Sequence, residues 1–252
     1  MSIYITGDLH GDFKRIFTSD LKRNDTFIIL GDVGLITEEK SSIRERLTIR
    51  RLSNMGFTIA FISGNHDNED RLDKYPISEW NGGMVHIIKK RAGNVPAIVH
   101  MLRGQIYDIE NNRFFAFGGS GIHEKNTIIL DKSSKKYLYE KQELTDNNIF
   151  FRTKGIDYWE RCLASEEEMN EGLTNLQKVD NQVDYVLTHC APTDIQLEIY
   201  GGDISWTDKQ TEYLQKVSNI ISFKRWYFGH YHCNYTYKNE SFQCIYDNII
   251  KL

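Results

Sequence analysis

Five short apolar runs in this chain of 252 residues each end in aspartate, asparagine or histidine. The clearest is residues 61–67, Phe-Ile-Ser-Gly-Asn-His-Asp, where a hydrophobic run stops at a glycine and three polar side chains follow. Short Val, Ile and Phe runs are typical of buried strands in α/β proteins, and reactive side chains collect in the loops beyond their carboxyl ends. The pattern therefore predicts a sheet whose strand ends share one site.

The other four runs lead into Asp8-Leu9-His10-Gly11, Asp32, His189 and His230-Tyr231-His232. Five of the eight histidines lie in these motifs, and the others are His86, His100 and His123. A single polar residue at a strand end is usually a cap or a hydrogen-bonded group. Five such ends together favour a functional site instead.

Composition predicts one globular domain over residues 1–252. Hydrophobic residues make up 40% of the chain and aromatic residues 12%, which is enough for a sizeable core. The motifs spread from residue 8 to residue 232, and no Gly/Ser-rich linker divides them. No apolar run approaches the roughly 20 residues of a membrane helix, and the first residues lack the apolar region of a signal peptide. We therefore expect a cytoplasmic protein that makes no membrane contact.

Cysteine spacing and net charge argue against two further classes. The four cysteines match neither a zinc ribbon nor a disulfide framework, which favours reduced thiols. The formal net charge of −4 argues against an extended nucleic-acid footprint.

The first 62 residues predict β-α-β-α-β and hence a parallel sheet. The second helix is predicted to open at residues 37–39 and to bury Ile43, Leu47 and Leu52. A hairpin is predicted to turn at Asn111-Asn112. Residues 118–162 are polar and charged, and we expect an irregular insertion over the site, with His123 at its start as a possible support.

The motif residues suit a site with two metal ions. Asp8 and His10 are alternate residues of an extended segment and share a face, and His230 and His232 repeat this spacing. A carboxylate such as Asp32 can bridge two ions, and ions about 3.5–4 Å apart can clamp both oxygens of a phosphoryl transfer. Carboxylate and imidazole ligands together suit Mn, Fe, Zn or Ni better than Ca or Mg.

As a set, the motifs resemble those of the calcineurin-like metallophosphoesterase superfamily in type, order and approximate spacing. The resemblance implies a four-layer α/β/β/α sandwich and two divalent transition-metal ions, Mn before Fe, Zn or Ni. It also implies a phosphoester substrate and a metal-bound hydroxide as nucleophile. The implied ligands are Asp8, His10 and His232 for one ion and Asn65, His189 and His230 for the other, with Asp32 as the bridge and His66 as the catalytic proton donor or phosphate-binding group.

The chain departs from the superfamily's protein phosphatases after the second strand. Those enzymes carry the motif GDxxDRG, whereas residues 31–37 read Gly-Asp-Val-Gly-Leu-Ile-Thr. The Asp that would brace His66 and the Arg that would clamp a phosphomonoester are both missing, and Asp67 is more typical of a turn or cap than of a replacement brace.

This difference favours a small-molecule or nucleotide phosphodiester as substrate. A phosphomonoesterase or phosphoprotein phosphatase is the alternative, followed by a nuclease or a non-catalytic binding module. A cation of the insertion could replace the missing Arg, and the candidates are Lys125, Lys132, Lys135, Lys136, Arg152 and Arg161.

Overall fold

The computed structural model describes residues 1–121 and 127–252. The strands are β1 (Ile3–Thr6), β2 (Thr26–Ile29), β3 (Thr58–Phe61), β4 (Ile77–Trp80), β5 (Gly83–Lys90), β6 (Pro96–Met101), β7 (Gln105–Ile109), β8 (Asn112–Phe117), β9 (Ile128–Asp131), β10 (Phe151–Lys154), β11 (Tyr185–Thr188), β12 (Arg225–Phe228), β13 (Tyr235–Tyr237), β14 (Phe242–Cys244) and β15 (Ile249–Lys251). The α-helices are α1 (Lys14–Phe17), α2 (Ile43–Ser53), α3 (Glu69–Leu72), α4 (Tyr137–Asp146), α5 (Glu166–Lys178), α6 (Thr193–Ile199) and α7 (Lys209–Ile220). Short 3₁₀ helices lie at Ala92–Asn94, Glu160–Cys162 and Ile204–Trp206.

Two large sheets organise the described residues. The first has the strand order β15-β1-β2-β3-β6-β5-β4, and the second has the order β13-β14-β12-β11-β8-β7. β1, β2 and β3 are parallel neighbours, as the sequence predicts, and β11 and β12 are parallel neighbours in the second sheet. Their carboxyl ends therefore meet at one edge of each sheet.

The sheets pack face to face and carry helices on their outer faces. Ile28 of the first sheet and Phe114 of the second lie in the core between them. Phe115 faces the outer helices instead, because successive side chains of a strand point to opposite faces. The outer layers contribute Leu52 of α2 on one side and Leu176 of α5 on the other. The predicted four-layer α/β/β/α sandwich is confirmed.

The second helix differs from its prediction. The predicted start at residues 37–39 is wrong, since α2 begins at Ile43 and the Ser42 side chain caps it by accepting a backbone N–H of the first turn at 3.1 Å. The predicted apolar face is wrong in part. Leu52 is buried, but Ile43 and Leu47 are 69% and 60% exposed. Ile43 and Leu47 share one face of the helix, whereas the buried face follows Glu45, Ile49 and Leu52.

The predicted hairpin of β7 and β8 is present, but its turn lies one residue earlier. Ile109 pairs with Asn112, so the turn residues are Glu110 and Asn111, with φ of 50° and 61°. Positive φ at both positions is the type I′ geometry that matches the twist of a hairpin. A glutamate is an unusual first residue for such a turn, which explains the error. The sequence also did not predict β4, β15 or α6.

The segment predicted as an irregular insertion, residues 118–162, contains regular structure. β9 and β10 form a two-stranded parallel sheet, and α4 connects them. None of the residues of α4 is buried, and Leu138 and Tyr139 are largely exposed. The prediction of irregular structure is therefore wrong here, because an uncapped helix with no buried face leaves little signal in the sequence. His123 and Lys125 lie outside the described residues.

Within the described part of the chain, no helix combines the length and the apolar character needed to span a bilayer.

Candidate metal centre

The ends of five strands bring the predicted site residues to one place. These residues follow β1, β2, β3, β11 and β12, and they are Asp8 and His10, Asp32, Asn65 and His66, His189, and His230 and His232 respectively. The first three strands belong to one sheet and the last two to the other. Because the two sheets are stacked, one cluster collects loops from both.

Three of these side chains converge as a first group. The Nε2 atoms of His10 and His232 are 2.9 Å apart. Oδ2 of Asp8 lies 3.2 Å from the His232 Nε2 atom and 3.7 Å from the His10 Nε2 atom. One carboxylate oxygen and two imidazole nitrogens therefore point at a common centre, and their ligand atoms lie within 4.8 Å of one another.

The Asp8 carboxylate is oriented so that one oxygen is left for a cation. Its Oδ1 accepts the backbone N–H of His230 at 3.0 Å. Its Oδ2 is buried and has no hydrogen-bond partner among the described residues. A buried carboxylate oxygen is costly without a compensating positive charge or donor. The first group therefore fits a metal ion.

A second group consists of Asp32, His189 and His230, whose ligand atoms also lie within 4.8 Å of one another. Nδ1 of His189 donates to the Leu30 carbonyl at 2.7 Å, which leaves the lone pair of Nε2 facing the site. This Nε2 atom is 3.1 Å from Oδ1 of Asn65 and 3.4 Å from Oδ2 of Asp32. Acceptors that face one another in this way fit a shared cation.

Asp32 belongs to the second group and also lies near the first. Its Oδ2 is 3.4 Å from the His189 Nε2 atom and 4.0 Å from the His10 Nε2 atom. Its Oδ1 accepts the backbone N–H of His66 at 2.8 Å, which fixes the orientation of the carboxylate. One carboxylate oxygen of Asp32 therefore lies near histidines of both groups.

The buried carboxylates attract positive charge to the site. Burial alone would raise the pKa of Asp8, but His10 and His232 hold it well below its usual range. Burial likewise opposes protonation of His189, yet the carboxylate of Asp32 raises the pKa of His189 to about 9. The lowered pKa keeps Asp8 anionic, and the raised pKa of His189 reflects the negative charge of the nearby carboxylates, which also attracts a metal cation.

Four site residues adopt a backbone conformation that is uncommon outside glycine. The φ angles of His10, Asp32, His230 and His232 are 46°, 45°, 68° and 49°. Each such residue costs roughly 1–3 kcal/mol, and this strain concentrates at functional sites. The loops therefore hold these side chains in a fixed arrangement at the expense of local stability.

Glycines allow the site loops to lie against one another. A Cβ atom on Gly64 would overlap the Asp32 carboxylate, and one on Gly229 would overlap the carboxylate of Asp8. The glycine at the end of one strand thus makes room for the acidic residue that follows another. We expect any larger residue at these two positions to displace the carboxylates.

Asp67 connects the Asp32 loop to the Asn65 loop. Its buried carboxylate accepts backbone N–H groups from Gly64 at 2.9 Å and from Val33 at 3.2 Å. Burial, together with the charge of Asp32, raises the pKa of Asp67 to about 7. This is the turn role that the sequence predicts for Asp67.

Arg15 supports Asp8, and no sequence pattern pointed to it. Its guanidinium donates to the Asp8 carbonyl at 2.9 Å and to the Thr6 hydroxyl at 2.8 Å, and it also donates to the Tyr246 carbonyl. It therefore ties the first ligand loop to the C-terminal segment. An arginine in a four-residue helix offers no signal of such a role.

His66 lies beside the two groups and borders a cavity. Its Nε2 is 4.0 Å from the Asp32 Oδ2 atom. Burial lowers the pKa of His66, and the positive charge of Arg152 adds to this effect, while Asp32 opposes it. The cavity has a volume of about 360 Å³, and its walls include His10, His66, Asp157 and residues 34–35.

Comparison with known proteins identifies the class. A family model for calcineurin-like phosphoesterases matches residues 1–234. The chain therefore belongs to this family of divalent-metal-dependent hydrolases acting on phosphoesters, and the resemblance found in the sequence is confirmed. No curated protein sequence matches the chain.

Solved structures of low sequence identity also match the chain. Phosphopantetheinyl hydrolase from Mycobacterium tuberculosis is 14% identical, and the match covers 98% of this chain and 89% of that chain with a TM-score of 0.45. A proposed 5′-nucleotidase from Staphylococcus aureus, in complex with α-ketoglutarate, is 13% identical, with 99% of this chain covered and a TM-score of 0.46. This chain spans 50% of the length of that second protein.

Proposed function

We propose that this protein hydrolyses a phosphoester at a dinuclear divalent-metal centre. The proposed ligands are Asp8, His10 and His232 for one ion, Asn65, His189 and His230 for the other, and Asp32 for both. The observation that carries the proposal is the position of the Asp32 Oδ2 atom between two groups of converging acceptor atoms.

Two divalent ions, when bound, would activate a water molecule and neutralise charge on the phosphoryl oxygens. Manganese is the first candidate for the metal, with Fe, Zn and Ni as alternatives, because carboxylate and imidazole ligands are mixed in both groups. The chain's contribution is to hold these ligands in place. The His66–Asp32 and His230–Asp8 backbone hydrogen bonds orient the carboxylates before any substrate arrives.

His66 is the proposed proton donor to the leaving oxygen. It borders the cavity, and its lowered pKa makes the imidazolium form a stronger acid although less of it is present near neutral pH. A leaving group that is already a good anion needs little protonation. The contribution of Nε2 of His66 should therefore grow as the leaving group becomes poorer.

The cavity beside His66 supports a small leaving group. Its volume of about 360 Å³ lies at the lower end of the range of small-molecule sites. Gly34 and Leu35 belong to its walls, and they lie in the segment where a phosphatase of this superfamily would carry its acidic and basic residues. We therefore propose a small-molecule or nucleotide phosphodiester as the substrate class.

A screen of metals against substrates tests the proposal. Bis(p-nitrophenyl) phosphate, p-nitrophenyl phosphate and cyclic nucleotides are assayed with Mn²⁺, Fe²⁺, Zn²⁺ and Ni²⁺. We expect metal-dependent hydrolysis, with diester activity in Mn²⁺ at least comparable to monoester activity. Strong preference for phosphomonoesters or phosphopeptides would contradict the diester proposal, and absence of any metal-dependent hydrolysis would contradict the assignment of a dinuclear hydrolytic centre.

A further inference from the structure

The segment between β14 and β15 lies against the loops that carry the first group of metal ligands. Residues 245–248, here called the crossing segment, lead from the second sheet to the first. Ile245 donates its backbone N–H to the carbonyl of Phe228, the last residue of β12, at 2.8 Å. A Cβ atom on Gly7, just after β1, would overlap the Ile245 carbonyl oxygen. The crossing segment therefore contacts the ends of both strands that lead into ligands of the first group.

Arg15 and Asn234 fasten the crossing segment to the ligand loops. The Arg15 guanidinium donates to the Tyr246 carbonyl and also to the Asp8 carbonyl, the latter at 2.9 Å. Asn234 lies shortly after the ligand His232, and its Oδ1 atom accepts the Tyr246 backbone N–H at 2.9 Å. Two separate contacts thus hold the backbone of Tyr246 beside the first group.

The ring of Tyr246 stacks on the imidazole of His232. The ring centroids are 4.7 Å apart, and the ring planes are inclined by only 24°. The guanidinium carbon of Arg15 lies 6.0 Å from the centre of the same tyrosine ring. Stacked aromatic rings at this separation attract one another beyond the burial of their area, so each ring restricts the orientation of the other.

His232 lacks the hydrogen bond that usually fixes a metal-binding histidine. Such a histidine donates the ring nitrogen that does not face the metal to a carbonyl or carboxylate, as His189 does to the Leu30 carbonyl. In the part of the chain that the structure describes, Nδ1 of His232 has no hydrogen-bond partner, and the side chain is 49% exposed. Its orientation toward Asp8 must therefore come from another contact.

We propose that Tyr246 is a positioning residue of the metal centre, because its ring holds the imidazole of His232 in the orientation that binds the first ion. The inference rests on the proposed dinuclear centre. It assigns a role to a residue outside positions 1–234, the part of the chain that the family model matches. An imidazole that shares its lone pair with a metal cation carries more positive charge, which the face of a phenol ring favours. Tyr246 thus stabilises the metal-bound form of His232 as well as orienting it.

Manganese binding to the purified protein tests the inference. Metal-free wild type and Tyr246→Leu are titrated with Mn²⁺, and calorimetry and elemental analysis after equilibrium dialysis give the affinity and the number of ions. We expect one of the two ions to bind about 10–100-fold more weakly in Tyr246→Leu, the range for loss of a group that supports a metal ligand. Tyr246→Phe keeps the flat ring and should bind Mn²⁺ within about twofold of the wild type.

A double-mutant cycle identifies the ion that is affected. His232→Ala removes the ligand itself, so adding Tyr246→Leu to it should change the Mn²⁺ affinity by less than about twofold. A general structural defect would weaken binding in the His232→Ala background as much as in the wild type. In the His189→Ala background, which disturbs the second group, Tyr246→Leu should still weaken Mn²⁺ binding by about tenfold or more.

The matched control is Tyr235→Leu. Tyr235 follows the same ligand loop, but it is 60% exposed and its ring contacts Tyr237 rather than a proposed ligand. We expect this variant to bind both ions with wild-type affinity. If Tyr246→Leu proves unstable, Tyr246→Met provides the test, because methionine also lacks a flat ring and should give the same loss.

Three outcomes would overturn the inference. Wild-type Mn²⁺ affinity in Tyr246→Leu would show that His232 needs no ring beside it. An equal loss in the presence and absence of the His232 side chain would assign Tyr246 a general structural role. An equal loss in Tyr246→Phe and Tyr246→Leu would exclude stacking as the cause. Failure of the proposed dinuclear centre is distinguishable, because the wild type itself would then bind fewer than two Mn²⁺ ions.

Discussion

The candidate metal centre can be compared with a second group of histidine and acidic side chains, which lies in the interior and also contains an arginine. This inner cluster consists of His86, His100, Glu69 and Arg103. The Nδ1 atoms of its two histidines are 3.1 Å apart, and an NH2 atom of Arg103 lies 3.5 Å from a Glu69 carboxylate oxygen. Both groups combine imidazole and carboxylate side chains, so residue type does not distinguish them.

Geometry and charge do distinguish them. At the metal centre, three ligand atoms converge twice within 4.8 Å, and among the described residues the inner cluster has no such set. Burial lowers the pKa of His100 to about 4, whereas carboxylates overcome burial and raise the pKa of His189 to about 9. Arg103 already supplies the positive charge that Glu69 needs. The Glu69 carboxylate is thus neutralised by an arginine of the protein itself. A carboxylate that is to bind a metal ion must be left without such a partner.

Asp32→Asn should have the largest effect, because the shared carboxylate belongs to both groups. The amide carries no charge, so occupancy should fall at both metal positions and activity should fall by about 10³-fold or more. Elemental analysis after gentle purification measures the metal, and assays in excess Mn²⁺ measure the activity. If the variant retains both ions, Asp32 is not the bridge.

His66→Ala should separate metal binding from chemistry. His66 is not a proposed ligand, so the variant should keep its metal while its rate falls by roughly 10²–10⁴-fold, the range of general acid–base groups. The loss should be smaller for p-nitrophenyl esters than for alkyl esters, whose leaving groups need a proton. Equal losses with good and poor leaving groups would favour phosphate binding by His66 over proton donation.

Glu69→Gln should affect stability rather than metal content. It removes one countercharge of the buried Arg103, and breaking a buried pair costs about 3–5 kcal/mol. Glu168 still contacts Arg103 at 3.1 Å, so we expect the lower end of this range. Urea unfolding gives the change in stability, and elemental analysis should give the wild-type metal content. Loss of metal in the Glu69→Gln variant would show that the inner cluster supports metal binding, and it would contradict the distinction by charge between this cluster and the metal centre.

The pH dependence of stability should reveal His100. The pKa of His100 in the folded protein is about 4, below its ordinary value of 6.5, so the unfolded chain binds this proton more readily. Stability is therefore greatest above pH 6.5 and declines as the pH falls toward 4. The full difference is worth about 3 kcal/mol.

Urea unfolding at several pH values, for the wild type and for His100→Gln, isolates this contribution. The variant should lose less stability than the wild type between pH 6.5 and pH 5. Parallel profiles for the two proteins would show that His100 does not titrate as proposed.

The sequence predicted the parallel strands and the motif loops because both depend on local patterns, whereas the four-layer sandwich was implied by the family resemblance. An apolar run followed by a glycine and then Asp, Asn or His identifies a strand end wherever it occurs, as at Asp32 and Asn65. Parallel strands then bring such ends together without further information. Because the carboxyl ends of parallel strands meet at one edge, the sequence could predict that these residues lie close together.

Other features depend on distant contacts and left no such pattern. Arg15 acts through carbonyls at Asp8 and Tyr246, which only the folded chain brings together. The insertion reaches the cavity beside His66 through Ile156 and Asp157, and this depends on tertiary packing that the sequence does not show. Helix α4 was missed because its stability does not come from a buried face.

The number of metal ions bound by the wild-type protein distinguishes a dinuclear centre from a single-metal site. Protein purified without chelators and equilibrated with Mn²⁺ is passed through a desalting column, and bound metal is measured by elemental analysis against protein concentration. We expect close to two ions per chain, because Asp8, His10 and His232 are the proposed ligands of one ion and Asn65, His189 and His230 those of the other. A content that saturates at one ion or fewer would contradict a dinuclear centre shared through Asp32.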